Sequence, residues 1–566
     1  MIDFKSEIAK FVSSVIENLS EKEVEELIEI PPNFDMGDYA MPCFKLAKVF
    51  RKAPNIIAEE LASLMKYNEY FERIENTGPY VNFFVNKEKL AESVLTDVFE
   101  KREKFGSQDM GKGRTVIVEF SSVNIAKPFS IAHIRSTVIG NSLHKIYKFL
   151  GFNSISINHL GDYGTQFGKL IVAYKKWGDK TAIEENPIPE LLKIYVKFHQ
   201  EAEKHPELED EGRLWFKKLE DKNREALELW DWFRDVSLKE FKRVYNMLGI
   251  EFDSYAGESF YSDKMQDVVN EMKEKGILKE SNQAQIVDLE PYNMPVALIK
   301  KSDGSTLYIT RDIAAAVYRK ANYDFYKNIY VVGSQQNLHF EQWIKIIELM
   351  GYDWAKDCIH VSFGMVSLEE GTMSTRKGRV VFLEDVLKKA IDKTKEIILE
   401  RNPNLDDKDK VARQVGVGAV VFQELYNNRI KDYIFSWDKT LSFQGETGPY
   451  VQYTHARANS VLRKANYGIT PNVNYSILTN QEAVDVIRLI QAFPQIVIDA
   501  MQKNEPSFIT RHITNIAQAF NRFYHECPII VDDEETQKSR LLLVYAVKNV
   551  IKIGLGLLGI ESPEKM

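Results

Sequence analysis

Apolar positions recur every three to four residues through residues 1–20, with Phe4, Ile8, Phe11, Val15 and Leu19 on one side, and that spacing predicts an amphipathic helix. A Pro- and Gly-punctuated turn follows ("EIPPNFDMGDYAMPC"), then a second helix ("APNIIAEELASLM") and strand-like runs within "FERIENTGPYVNFFVN". A further helix ends near Phe105, and the Gly-rich "GSQDMGKGR" reads as a linker, so a boundary falls at about residue 110. From Thr115 the pattern becomes apolar strand, turn, helix, strand: "TVIVEFSS", "SIAHIRSTVIGNSLHKIYKFLG", "NSISINHLG". That is a βαβ unit and predicts a parallel sheet. Residues 170–250 are long, charged and helical, an insertion into this alternation that extends to about residue 285. Strands resume at "AQIVDLE", "PVALIKKSDGSTLYIT", "NIYVVG" and the run from Cys358 to Val386, and are expected to stop after about residue 410. Three long helical patterns close the chain, within 482–502, 506–526 and 539–560. The expected architecture is multidomain α/β: an α+β N-terminal domain over 1–110, a Rossmann-like parallel-sheet domain with a helical insertion over 111–410, and an all-α domain over 411–566.

Composition narrows the class. The 566 residues exceed one hydrophobic core, and 44% hydrophobic with 28% charged residues is ordinary for a soluble globular chain. No apolar stretch reaches membrane-spanning length, and the N-terminus has neither signal-peptide nor transit-peptide character, so no membrane partner is expected. Cys43, Cys358 and Cys527 stand far apart without a C-x-x-C pair, which argues against a disulfide framework and a structural zinc site and fits a reducing cytoplasm. The net charge of −8 means that a nucleic-acid partner would have to be held by local basic patches.

Candidate chemistry concentrates where strands end. The stretch "NIAKPFSIAHIRSTVIG" puts Lys127, Ser130 and His133 at a helix entrance, where free backbone N–H groups and the helix dipole favour an anion such as a triphosphate. Glu119, Ser122 and Asn124 precede it at the carboxyl end of the strand, the ligand side of an open α/β sheet. The polar, cationic "MSTRKGR" reads as a loop able to close on a phosphate leaving group. Asp162 and Gln166 follow the second strand, in "NHLGDYGTQFGKL". Tyr308 and Asp312 at a strand-to-helix turn, together with Glu258, offer carboxylates and a tyrosine suited to a guanidinium.

Seven motifs in order carry a resemblance: "VEFSSVNIAKPFSIAHIRSTVIGN", "NHLGDYGTQFGKL", "GSTLYITRD", "YVVGSQQNLHF", "MSTRKG", "GPYVQYTHARANSVL" and "LLGIESPEKM". The chain resembles the arginyl-tRNA synthetases, class I aminoacyl-tRNA synthetases. The resemblance implies joining of L-arginine to ATP, giving arginyl adenylate and pyrophosphate, then transfer of arginine to the 3′ end of tRNA(Arg). It implies ATP contacts from Lys127, Ser130, Ala132, His133, Met373 and Ser374, with Lys127, Ser130, His133, Arg376 and Lys377 serving catalysis. Arginine would be held by Ser122, Asn124, Glu258, Tyr308, Asp312, Gln336 and His159, the guanidinium by Glu258, Tyr308 and Asp312. Tyr80 and Asn82 would touch the outer corner of tRNA, and Tyr450, Tyr453, Arg457 and Met566 the anticodon side. Magnesium would arrive on the ATP phosphates with no dedicated protein site, and the resemblance implies a cytoplasmic monomer.

Two departures stand out. The first class I signature, His-Ile-Gly-His in most relatives, reads Ser130-Ile131-Ala132-His133, and the second carries Thr372 and Thr375 where lysines are usual, which shifts phosphate neutralisation onto Lys127. The eroded first signature keeps open a non-catalytic tRNA-binding relative. A small-molecule nucleotidylyltransferase shares the His-bearing helix entrance but needs neither the N-terminal module nor the helical C-terminal domain.

Overall fold

The computed structural model describes residues 1–16, 19–31, 33–65, 68–301, 308–368, 381–465 and 467–566. Helix Phe4–Val15, capped by Asp3, buries Phe4, Ile8, Ala9 and Val12 against a three-stranded antiparallel sheet. Its strands are β1 (Tyr39–Pro42), β2 (Phe71–Thr77) and β3 (Tyr80–Val85), in the order β1-β3-β2. Helix Lys87–Lys101, capped by Asn86, leads out of this module.

The sheet of the central domain contains β4 (Thr115–Glu119), β5 (Asn153–Ile157), β9 (Lys327–Gly333) and β10 (Cys358–Phe363); between them β6 (Leu278–Ser281), β7 (Ala284–Val287) and β8 (Ala297–Lys300) form a separate antiparallel sheet. All pairings in the central sheet are parallel and the order is β10-β9-β4-β5. From β4 the chain moves outward to β5 on one side and later to β9 on the other, so the order reverses between β4 and β9. A crevice opens at the carboxyl ends of such strands. Both faces are covered, since Val116 and Val118 of β4 enter one core and Ile117 the other. This is why "TVIVE" is apolar without alternation.

The insertion comprises helices Thr165–Trp177, Lys180–Glu185, Pro187–Ala202, Glu207–Glu220 and Arg224–Leu248. The C-terminal part is built on helices Lys408–Tyr426, Gly448–Ala465, Gln481–Lys503, Ser507–Glu526 and Glu534–Leu557. It is docked directly on the helix behind the crevice, Ile134–Phe149: the Ser142 hydroxyl donates to the Leu557 carbonyl (2.9 Å) and the Tyr147 hydroxyl to Asn504 Oδ1 (3.0 Å).

Two expectations are corrected. Strands do not end at residue 410, because β12 (Tyr433–Phe435) pairs in parallel with β11 (Val366–Leu368). The strand expected to run to Thr310 is also shorter: β8 ends at Lys300, and Tyr308 opens helix Tyr308–Tyr323 with Asp312 one turn in, where Ile309, Ile313 and Ala316 are buried at helical spacing. That amphipathic face outweighs the β-preference of Tyr308, Ile309 and Thr310.

Candidate active site

The connection after β4 is strained. Ser121, Ser122 and Ala126 have φ of 70°, 48° and 58°, conformations that cost on the order of 1–3 kcal/mol each for residues with a side chain. Surrounding bonds enforce them. The Ser121 N–H donates to Ser136 Oγ (2.9 Å), Ser121 Oγ meets Thr137 Oγ1 and the Tyr245 hydroxyl (both 2.8 Å), and the Ala126 N–H donates to Ser237 Oγ (3.1 Å). The result brings Asn124 alongside Gly161; a Cβ on Gly161 would lie 2.1 Å from Asn124 Oδ1, so only glycine fits there. Ser122 Oγ is buried and makes no hydrogen bond to the protein.

At the helix entrance the Ser130 N–H donates to His133 Nδ1 (3.1 Å), and Ser130 Oγ lies 3.0 Å from the same nitrogen. Nδ1 also lies 3.3 Å from the Ser130 carbonyl; the shorter contact, from the Ser130 N–H, favours Nδ1 as acceptor with the ring proton on Nε2. Burial lowers the His133 pKa, the Ser130 backbone opposes this, and the charge of Lys127 lowers it further. His133 is therefore a neutral donor near pH 7, with Lys127 beside it supplying the charge. Ser130 and Ile131 also pair with Val381 and Phe382, where the chain resumes after 369–380. Met373, Ser374, Arg376 and Lys377 fall in that interval, outside the described residues. Arg135, two residues on, is not part of the mouth. It is fully buried, donates to the carbonyls of Gly364 (2.9 Å) and Lys431 (2.8 Å), and pairs with Glu424 (3.6 Å), bracing the helix against the segment before β12.

Across the crevice, Gly257 passes so close to Leu160 and Asp162 that a Cβ there would lie 2.6 Å from the Leu160 carbonyl oxygen. Asp162 is fully buried and accepts from the Ser259 N–H and hydroxyl (both 2.8 Å) and from Arg234 Nε (3.2 Å). It is a strut for the Glu258 segment and does not line the crevice as expected. Glu119 is likewise withdrawn: its carboxylate pairs with the fully buried Arg319 at 2.6 Å. Glu258 remains, facing Arg311 at 3.1 Å. Burial raises its pKa, Arg311 and then His159 lower it, and Asp312 and Asp162 raise it. The Glu258 backbone is fixed beside the second strand end, since its N–H donates to the Leu160 carbonyl (2.9 Å). His159 packs on Tyr261 (5.5 Å between ring centres), and Asp312 accepts from His339 Nε2 at 2.5 Å. Tyr308 is 65% exposed and Gln336 is exposed beyond the end of β9, both open to an incoming ligand. The sequence reading missed Arg311, Arg319 and His339, although "TRD" and "QNLHF" contain two of them.

A second site lies in the helical part. Tyr453, Arg457 and Met566 line one cleft of about 890 Å³ with Arg463, Lys464 and Tyr524. The guanidinium of Arg457 lies 4.8 Å from the Tyr453 ring centre and 5.4 Å from that of Tyr524. Met566 reaches the cleft because the last residues are laced along helix Gly448–Ala465. Gln452 Nε2 donates to the Glu561 carbonyl (2.8 Å) and Asn459 Nδ2 to that of Glu564 (3.1 Å). Tyr450, by contrast, accepts from Asn521 Nδ2 (2.9 Å) and is not in the cleft wall. In the N-terminal module Tyr80 is half-buried against Phe44, but Asn82 is only 2% exposed and donates to Thr77 Oγ1 (3.1 Å), which corrects its expected surface role.

The family described as "tRNA synthetases class I (R), catalytic domain" matches residues 94–437. The DALR anticodon binding domain matches 451–566 and the arginyl tRNA synthetase N terminal domain 3–85. The chain is 66% identical to an arginine–tRNA ligase of Halothermothrix orenii and 64% to one of Clostridioides difficile, each over 100% of both chains. The crystal structure of an arginyl-tRNA synthetase from Plasmodium falciparum superposes with a TM-score of 0.80 at 25% identity, over 100% of both chains. A sheet reversing order beside a cationic helix mouth, a carboxylate pocket opposite it and these full-length matches lead to one assignment: the chain belongs to the arginyl-tRNA synthetase family of class I aminoacyl-tRNA synthetases.

Proposed function

We propose that the chain activates L-arginine with ATP and transfers it to the 3′ end of tRNA(Arg). The observation that carries the reading is the segment Leu160–Gly161, which ties the two sides together: Asn124 pairs with Gly161, and the Glu258 N–H donates to the Leu160 carbonyl at 2.9 Å. In the first step the α-carboxylate of arginine attacks the α-phosphorus of ATP, and the bond to the bridging oxygen breaks as pyrophosphate leaves. The nucleophile is already ionised, so no general base is needed. The chain's task is to orient two anionic reactants and to offset the charge that grows on the phosphate oxygens. Lys127 and the Nε2–H of His133 suit the second task. Glu258, Asp312 and Tyr308 suit the guanidinium, and Ser122, Asn124 and Gln336 the amino-acid head group. In the second step a terminal ribose hydroxyl attacks the acyl carbonyl and AMP leaves. Magnesium travels on the nucleotide phosphates. The cleft around Tyr453 and Arg457 suits splayed anticodon bases, which stack on aromatic rings and guanidinium planes. Three cysteines that are buried and unpaired fit work in the cytoplasm, and the family resemblance supports a monomer.

The test is arginine-dependent ATP–pyrophosphate exchange, run with and without tRNA(Arg). Exchange under at least one condition is expected; none under either, with tRNA still bound, would leave a binding-only relative. In the charging assay, Tyr453→Ala or Arg457→Ala is expected to raise KM for tRNA roughly 5- to 150-fold, the equivalent of about 1–3 kcal/mol per lost stack. KM for arginine should not move. An unchanged KM for tRNA in both variants would remove the cleft from the reading.

A further inference from the structure

Arg311 is an arginine of this chain standing inside the pocket assigned to arginine. It is 6% exposed, with Nη1 3.1 Å from Glu258 Oε1 and its guanidinium carbon 5.1 Å and 5.4 Å from the ring centres of Tyr163 and Tyr308. Nε and Nη1 are buried without a well-aligned hydrogen bond. The group is therefore held by charge and ring faces, not by a hydrogen-bonded fork.

A buried guanidinium keeps its charge and needs a compensating anion close by. Nearby charges leave little choice. Arg319 is taken by Glu119 and Arg234 by Asp162. Among the described residues, what remains is one arginine, Arg311, beside two carboxylates, Glu258 and Asp312. His339 Nε2 donates to Asp312 at 2.5 Å. The two carboxylates thus share one arginine, which leaves one of them for a further guanidinium.

We propose that Arg311 is a positioning residue for arginine selection: it fixes the Glu258 carboxylate as a shared anion, so that one more guanidinium completes the charge of the pocket. The proposal rests on the reading that Glu258 faces the substrate. Without Arg311, Glu258 would be an unpaired carboxyl in a desolvated site facing Asp312 and Asp162. It would hold a proton to higher pH than in the wild type and give it up as pH rises further.

The experiment is the pH dependence of KM for arginine in pyrophosphate exchange, on the full chain with tRNA present. Arg311→Met is expected to raise KM about tenfold near pH 6.5 and to return to within about threefold of wild type near pH 8.5, while the wild type stays flat. Arg311→Lys should restore the flat profile, and Glu258→Gln, alone or with Arg311→Met, should give a raised KM with no such recovery. Should Arg311→Met fail to fold, Arg311→Gln carries the same test. An unchanged KM, or a rise without pH dependence, in the Arg311 variants would overturn the role of Arg311 if Glu258→Gln still impairs arginine binding. If Glu258→Gln also leaves KM unchanged, the assignment of Glu258 to the substrate fails instead.

Discussion

Asp312→Asn is expected to raise KM for arginine roughly 30- to 5,000-fold, because truncating one partner of a hydrogen-bonded charge pair that the bound arginine closes off from water costs about 2–5 kcal/mol. The substitution keeps the shape of the side chain but replaces an acceptor by an NH₂ that faces the donors of the guanidinium. Glu258 cannot take over, since Arg311 already shares it at 3.1 Å. KM for ATP should stay within about twofold, because Asp312 belongs to the pocket and not to the phosphate-binding mouth. His339→Ala is the companion variant: it leaves the carboxylate charged but removes the donor at 2.5 Å, so a smaller rise, about 3- to 10-fold, is expected. An unchanged KM for arginine in Asp312→Asn would show that the guanidinium is held elsewhere. Equal losses in the two variants would mean that geometry rather than charge decides binding.

The parts of this arrangement that were legible in the sequence are those with local causes. Strand, turn and helix follow directly from "TVIVEFSS" and the residues after it, and a topological rule then places the ligand at the strand ends. The long C-terminal helices announce themselves by period, with buried Ile, Phe and Val at helical spacing in Gln481–Lys503 and Ser507–Glu526. What stayed hidden depends on partners far along the chain. Nothing near Glu119 or Asp162 indicates that Arg319 and Arg234 neutralise them, so both carboxylates read as available. Arg135 sits in the richest motif of the sequence, yet its partners Gly364, Lys431 and Glu424 come from elsewhere, and they turn it into a brace. Asn82 failed for a different reason. Two-residue alternation with Tyr80 implies one exposed face, but β3 is the central strand of its sheet and Val81, Phe83, Phe84 and Val85 are buried around it. Arg311 escaped because adjacent helical residues point about 100° apart, so Asp312 gives no hint that its neighbour reaches back to Glu258.

Lys127→Ala is expected to cut the rate of pyrophosphate exchange about 10²–10³-fold, the usual loss when one preorganised donor to a developing oxyanion is removed, with KM for arginine within about threefold. His133→Ala should lose a similar amount, but the two residues act in different ways and a pair of further variants separates them. His133 works as a neutral donor: Ser130 fills Nδ1 at 3.1 Å and leaves Nε2–H for the ligand, while burial and the neighbouring Lys127 charge keep the ring from taking a second proton. His133→Asn, which keeps an N–H donor, should therefore retain about tenfold more activity than His133→Ala, and the wild-type rate should not fall between about pH 6.5 and 8. A rate that declined across that range, with Asn no better than Ala, would mean that a protonated ring is the working form. Lys127 has no such substitute, because it brings the charge that Ser130 and Thr372 do not. Lys377→Ala should accordingly cost less than Lys127→Ala; equal losses would move the main burden of neutralising pyrophosphate from the helix entrance to the second signature.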